Sequence, residues 1–280
     1  MRFPTVYLLS LSIFFANIYG CAATSSQRED LNSVLWLQTS SEYMATVLGT
    51  YAAATDALQR MVDADPTAVD RMAIMMDLDE TVLDNSYYGT QLVLDNAPFQ
   101  EETWDQFVAL RKATAVPGAV EFIRAGQDLG VGVWFITNRQ CLVRIGNSDD
   151  CPQKEDTLAN LRQLGIETDL DTLFLWGERP PDRCLSLLSD SEHEQGKWEA
   201  WDKTSRRQCV ELDYDIVMLV GDQLGDFVGG LEGTTPASRK ALMDQYKENW
   251  GNTWFMIPNP TYGSWLNLLQ PDKRSHLRRM

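Results

Sequence analysis

The chain has 280 residues, of which 44% are hydrophobic, and carries a formal net charge of −16 at pH 7. That length supports one large core, or a core with a smaller lobe beside it. The acidic balance excludes nucleic-acid polymers as partners, because no basic surface would displace phosphate counterions.

The same charge opposes a small phosphorylated ligand. A site for one must therefore concentrate positive charge locally, as a divalent metal with one or two cationic side chains would. Arg2 gives a short positive start, residues 6–18 are mostly apolar, and Ile18-Tyr-Gly-Cys21 follows. This reads as a secretory signal peptide over residues 1–20. A small residue directly before a cysteine resembles the bacterial lipoprotein cleavage box, with Cys21 as the lipidated first residue of an exported, membrane-anchored protein. Residues 21–30 are small and polar, as a tether would be. No later stretch is long and apolar enough to span a bilayer. Besides Cys21 there are Cys141, Cys151, Cys184 and Cys209. An even count in an oxidising compartment predicts disulfides, with three pairings open, and none of the spacings is that of a zinc site.

From Leu31 the pattern turns helical. Met44, Val47, Leu48, Tyr51, Leu58 and Met61 fall mostly three or four apart, predicting a long helix to about Val62 with a break near Gly49. Residues 73–76 form an apolar run that reads as a strand buried on both faces. It ends in Asp77 and Asp79. The loop beyond the C-terminal end of a central parallel strand is where an open α/β sheet places its chemistry. Two acids at the rim of a core need compensating charge, and a bound cation supplies it. Asp77 is a candidate nucleophile that would form an aspartyl-phosphate. Asp79 is the candidate general acid and base. The division needs unequal pKa values, with a cation keeping Asp77 ionised while Asp79 holds a proton in the first step. A bare D-x-D is more often a capping pair. The preceding strand and three further elements downstream favour chemistry.

Residues 85–117 read as irregular and aromatic, with Tyr87, Tyr88, Phe99, Trp104 and Phe107. Such residues pack a core or stack on a flat substrate, and on composition alone packing is preferred. Pro117 opens a helix that Gly130 closes. Residues 131–136 form a second buried strand ending in Thr137-Asn138-Arg139, where a hydroxyl is placed to donate to a phosphate oxygen. A helix over 153–164 and a strand over 172–175 continue a β-α-β rhythm. Residues 177–201 read as a surface excursion held down by Trp198 and Trp201, with His193, like His276 in the tail, solvated. Lys203-Thr-Ser-Arg206-Arg207 opens the next helix, where one cation of the stretch could reach a phosphate and a solvated basic face is the alternative. Residues 214–220 form a fourth strand, ending in Gly221-Asp222-Gln-Leu-Gly-Asp226, where glycine allows close backbone approach. A fifth strand over 252–257 precedes Pro258-Asn-Pro-Thr-Tyr262-Gly-Ser-Trp265, and residues 271–280 are a basic tail.

Taken in order, Asp77/Asp79, Thr137, Lys203 and Asp222/Asp226 resemble the four motifs of the haloacid dehalogenase-like hydrolase superfamily. An acid two residues after the nucleophile is its phosphatase version. More closely, D-L-D-E-T-V-L-D-N-S, A-V-P-G-A-V-E-F, T-N-R, D-K-x-x-R-R, G-D-x-x-x-D-F and P-N-x-x-Y-G-x-W resemble the bacterial class C acid phosphatases. That family includes lipoprotein 5′-nucleotidases of the outer membrane, and the resemblance runs from about Trp36 to Trp265.

The resemblance implies an α/β fold: a Rossmann-like parallel sheet with helices on both faces and a smaller helical cap lobe. The domain would cover 31–270, with 31–66 and parts of 85–116 contributing the lobe. It implies a Mg²⁺ site made by carboxylate oxygens of Asp77 and Asp222 and the backbone carbonyl of Asp79, completed by waters and a phosphate oxygen. Asp226 would hold one of those waters. Thr137 and Lys203 would bind the phosphoryl group, with Asn138 assisting. Trp104 and Tyr262 would sandwich a nucleobase, with Phe107 a weaker candidate, which turns the reading of these aromatics from packing to stacking. The implied activity is hydrolysis of phosphomonoesters, nucleoside 5′-monophosphates foremost. One alternative is a phosphotransferase that passes the same phosphate to an alcohol. A non-catalytic surface-anchored binding protein is the other, disfavoured because Asp77, Asp79, Lys203 and Asp222 are all retained.

Overall fold

The structure is a computed structural model that describes residues 26–198 and 201–278. The expected signal peptide, the cysteine at 21 and the first half of the tether lie outside the described residues. Helix α1 (Ser26–Thr39) takes up the second half of that tether, and α2 (Ser41–Ala64) follows. The break between them falls at Ser40, not at Gly49. Ser40 is extended (φ −86°, ψ 128°) and its hydroxyl accepts from the Tyr43 N–H at 2.9 Å, so it caps a new helix. Gly49 stays inside α2, where a glycine costs about 1 kcal/mol relative to alanine.

Strand β1 (Met72–Met76) leads to the short β2 (Leu83–Asp84). Two helices, α3 (Ser86–Asp95) and α4 (Glu101–Leu110), occupy the region read as irregular. Each ends in a left-handed residue that is not glycine, Asn96 (φ 53°) and Arg111 (φ 55°). Glu101 and Glu102 favour the positive end of α4. Strand β3 (Thr114–Ala115) pairs antiparallel with β2. Helix α5 (Ala119–Asp128) begins two residues later than Pro117 suggested, because Gly118 takes the cap position at φ 87°. There follow β4 (Gly132–Gln140), α6 (Pro152–Gln163), β5 (Leu173–Trp176), α7 (Asp190–Gln195) and α8 (Thr204–Glu211). The chain closes with β6 (Asp215–Gly221), α9 (Pro236–Gln245), β7 (Trp254–Met256) and α10 (Ser264–Asn267).

Five strands form one parallel sheet in the order β5-β4-β1-β6-β7. This is the Rossmann-like α/β architecture expected. In the central strand every residue is buried, and alternate side chains enter two cores. Ile74 and Met76 join Val133, Phe135, Val220 and Phe255 on the face covered by α2 and α5. Ala73 and Met75 join Trp134, Ile136, Leu219 and Trp198 on the other. Each large aliphatic side chain so buried contributes about 1.5–3 kcal/mol, which fixes the strand against sliding. Helix α2 thus belongs to the sheet, with Tyr51 on Phe122 at 5.6 Å, and not to the small lobe. That lobe is α1 packed on α3, with α4 packed against α6. Arg144 ties it down, reaching Asp105 at 2.7 Å and Asp156 at 2.5 Å.

The described cysteines pair as Cys141–Cys151 and Cys184–Cys209. The second pair fastens the 177–198 segment to α8. Trp198 is fully buried against Phe174, and its backbone exchanges hydrogen bonds with Gly177 and Glu178. Trp201 does not share that role. It stays 58% exposed, edge-on to Trp176. His193 and His276 are exposed, as expected. No described helix is long and apolar enough to cross a membrane.

Candidate active site

The C-terminal ends of β1, β4 and β6 meet at one point. Asp77 follows β1 directly and is held in line by its N–H, which donates to Val220 O at 2.9 Å. Asp222 follows β6, and Asp226 is brought back onto it by a tight turn in which Asp226 Oδ2 accepts from Gln223 N at 2.8 Å. Gly221 makes that turn possible. A Cβ there would lie 2.4 Å from the Asp226 side chain. Oxygens of Asp77, Asp222 and Asp226 consequently lie within 4.8 Å of one another, all three residues buried.

One ammonium serves this cluster. Lys203, 5% exposed just before α8, donates to Asp77 Oδ1 and to Asp226 Oδ1 at 2.6 Å. Burial works against its charge, yet Asp226 and Asp77 prevail and hold its pKa above the ordinary lysine value. One cation does not balance three acids. Burial pushes the Asp77 carboxyl up to about 7 against the pull of Lys203, with Asp226 and Asp79 adding to the rise. Burial, then Asp226 and Asp77, push Asp222 well above the carboxylate range. Asn259 opposes the rise, its Nδ2 donating to Asp222 Oδ2 at 2.7 Å. Uncompensated negative charge on a compact set of hard oxygen donors fits a divalent cation.

Asp79 points elsewhere. Its carboxylate accepts from Arg139 Nη2 at 2.7 Å, Asn85 Nδ2 at 2.8 Å and Thr137 Oγ1 at 3.1 Å. Thr137, fully buried, lies within β4 and in turn accepts from Arg139 N at 3.0 Å. The strand extends to Gln140 because its pairing with β5 resumes at Gln140 after an irregularity. Arg139 also bonds Thr157 Oγ1 at 3.0 Å and sits 5.6 Å over the Trp104 ring. Arg139 and Asn85 carried no site role in the sequence reading, although both lie inside quoted motifs. An arginine two residues beyond the threonine, next to unpaired acids, was the available signal.

Asn138 is engaged away from the acids. Its Oδ1 accepts from Arg206 Nη2 at 2.7 Å and its Nδ2 donates to Trp201 O at 3.1 Å. Trp104 is half-buried among Tyr88, Phe99 and Phe107, stacked on Phe107 at 5.5 Å. Tyr262 is 41% exposed, and among the described ring contacts it does not touch Trp104. The backbone turn after Asp79 uses a left-handed Glu80 (φ 60°), and the Tyr51 hydroxyl buttresses it by donating to Thr81 O at 2.7 Å.

A family model described as HAD superfamily, subfamily IIIB (Acid phosphatase), matches residues 15–265. Among solved structures, the class C acid phosphatase from Bacillus anthracis is similar, with a TM-score of 0.73 and 25% identity over 91% of this chain and 98% of that one. A structure of the Bacillus anthracis class C acid phosphatase with tungstate bound gives a TM-score of 0.73 at 24% identity, over 91% and 98% of the two chains.

Proposed function

The chain belongs to the acid phosphatases of HAD subfamily IIIB and is a phosphomonoesterase; within that activity we propose that it cleaves nucleoside 5′-monophosphates through an aspartyl-phosphate on Asp77, with Mg²⁺ as cofactor. The convergence of Asp77, Asp222 and Asp226 within 4.8 Å carries this reading. Asp77, Asp222 and the backbone of Asp79 would hold the cation, with Asp226 alongside. When bound, it supplies positive charge against the phosphate oxygens.

The protein's own groups do the rest. Lys203 neutralises phosphate charge in the transition state, as a fixed cation in a dry site does best. An oxygen of Asp77 attacks phosphorus in line while the ester P–O bond breaks, and Asp79 gives its proton to the departing alcohol. Water then attacks the phosphorus of the aspartyl-phosphate and passes a proton to Asp79. The acyl-phosphate P–O bond breaks, inorganic phosphate leaves, and Asp77 is restored. The Thr137 hydroxyl, buried beside Asp79, would donate to phosphate once it releases that carboxylate. The half-buried Trp104 ring over Arg139 and the exposed Tyr262 ring support a stacked base. The bacterial export reading rests on the N-terminal sequence alone.

Phosphate release from nucleoside monophosphates and sugar phosphates, with and without EDTA, tests the proposal. We expect nucleotides to be the better substrates, EDTA to abolish turnover and Asp77→Asn to abolish it in a folded protein. Retention of about a tenth of the activity by Asp77→Asn, against the large losses usual for a nucleophile, would remove Asp77 from that role. Adding excess nucleoside tests transfer: a new phosphoester would identify a phosphotransferase.

A further inference from the structure

A cavity of about 300 Å³ opens beside Asp222, on the side of the edge strand β7. Its walls include Arg239, Lys240, Met243, Met256 and Trp265. Because β6 and β7 are parallel, the chain between them must return across the sheet. The start of α9 therefore lies toward the catalytic edge. Side chains confirm it: Arg239 Nη1 donates to Ser264 Oγ at 2.8 Å, and Ser264 N donates to Gln223 Oε1 at 3.0 Å, next to Asp222.

The charge here is unusual for a chain of net −16. Among the described residues Arg239 donates only to neutral oxygens, those of Thr234, Ser264 and Leu231. Burial lowers its pKa from the ordinary arginine value. Lys240 is exposed and forms no ion pair among the described residues. Two adjacent cations thus face a chamber whose one acid is Asp222, already placed at the cation site, and whose apolar walls include Trp265 and Met243, both 42% exposed.

We propose that this cavity is a subsite for a second anionic group on the leaving part of a nucleoside substrate. Arg and Lys donors recognise phosphate or carboxylate oxygens, and a partly buried arginine bonded to neutral oxygens does so more strongly than a solvated one. A nucleoside 3′,5′-bisphosphate is the simplest ligand with that chemistry. The subsite presupposes the phosphoryl site at Asp77 and Asp222.

The test compares adenosine 5′-monophosphate, adenosine 3′,5′-bisphosphate and p-nitrophenyl phosphate with the wild type, Arg239→Gln, Lys240→Gln and the double variant. The wild type should favour the bisphosphate in kcat/KM through a lower KM, releasing its 5′-phosphate. The double variant should lose roughly tenfold of that preference, the value of one charge-assisted contact, with p-nitrophenyl phosphate unchanged. Lys240→Gln, at an exposed position, should give part of the loss even if Arg239→Gln does not fold. A bisphosphate preference that is absent, or that survives in the double variant, overturns the subsite alone. Failure of the wild type to hydrolyse any of the three overturns the phosphoryl site and the subsite together.

Discussion

Arg139 grips Asp79 through two nitrogens, Nη2 to Oδ1 at 2.7 Å and Nε to Oδ2 at 3.2 Å, and is itself 2% exposed. With Asn85 and Thr137 also donating, Asp79 must release at least one partner to meet a leaving oxygen. Its orientation is set by Arg139, which is anchored on α6 through Thr157 and under the small lobe through Trp104.

Arg139→Met should therefore damage proton delivery more than phosphate binding. We expect kcat for an alkyl phosphomonoester to fall on the order of a hundredfold, the share general acid catalysis usually supplies. For p-nitrophenyl phosphate, whose leaving group departs without a proton, the fall should be much smaller. Both are measured in the same sample, so any loss of folded protein cancels. Equal falls would leave Arg139 with a structural role only.

Gly221→Ala should disable the site from the other side. The added Cβ would sit 2.4 Å from the Cβ and Oδ2 of Asp226, so backbone or carboxylate must move. Asp226 is one of the two acids on Lys203, and displacing it frees the lysine toward Asp77 alone. Activity should drop at least tenfold, with a loss of stability of about 1–3 kcal/mol for overpacking. Denaturant melts and a saturation curve measure the two. A fully active Gly221→Ala would mean that Asp226 need not hold its place.

Much of this site was legible because of how parallel sheets bury their strands. Residues on β1 face a core on both sides, so the strand reads as an unbroken apolar run, and an acid at its end is conspicuous. The same holds for β6 and Asp222. Arg139 was not legible as a partner of Asp79, since 60 residues separate them and only the β1–β4 pairing brings them together. Asn259 on Asp222 is the same case. Helices α3 and α4 were missed because their stops are Asn96 and Arg111 in left-handed geometry, without the glycine that marks such ends. The break at Ser40 was missed because the stronger propensity signal, Gly49, outweighed a cap that depends on one hydroxyl.

Trp104→Ala separates stacking from packing. The ring touches Tyr88, Phe99 and Phe107, so removal costs packing in either case. If the ring also holds a nucleobase, KM for nucleoside monophosphates should rise roughly tenfold, matching about 1–3 kcal/mol per stacked base, while KM for a small sugar phosphate stays within about twofold. Parallel changes for both substrates would return Trp104 to the core.

The acid cluster also predicts how pH and metal act together on stability. Burial raises Asp77 to about 7 and raises Asp222 well above its ordinary value. A carboxyl with a raised folded pKa binds more protons folded than unfolded across that window, so stability falls as pH rises from the ordinary carboxylate range toward about 7. Metal-stripped protein should then melt at lower temperature near pH 7.5 than near pH 5. Asp105 and Asp202 shift the opposite way, but their contribution changes only below the ordinary aspartate pKa and leaves this window alone. A divalent cation binds the deprotonated acids, so protons compete with it. Millimolar Mg²⁺ should raise the melting temperature more near pH 7.5 than near pH 5, by the linkage of ligand to folded state. Thermal melts of EDTA-treated protein at the two pH values, with and without Mg²⁺, measure this directly. A larger effect of Mg²⁺ at the acidic pH would mean that the cation binds somewhere other than Asp77 and Asp222.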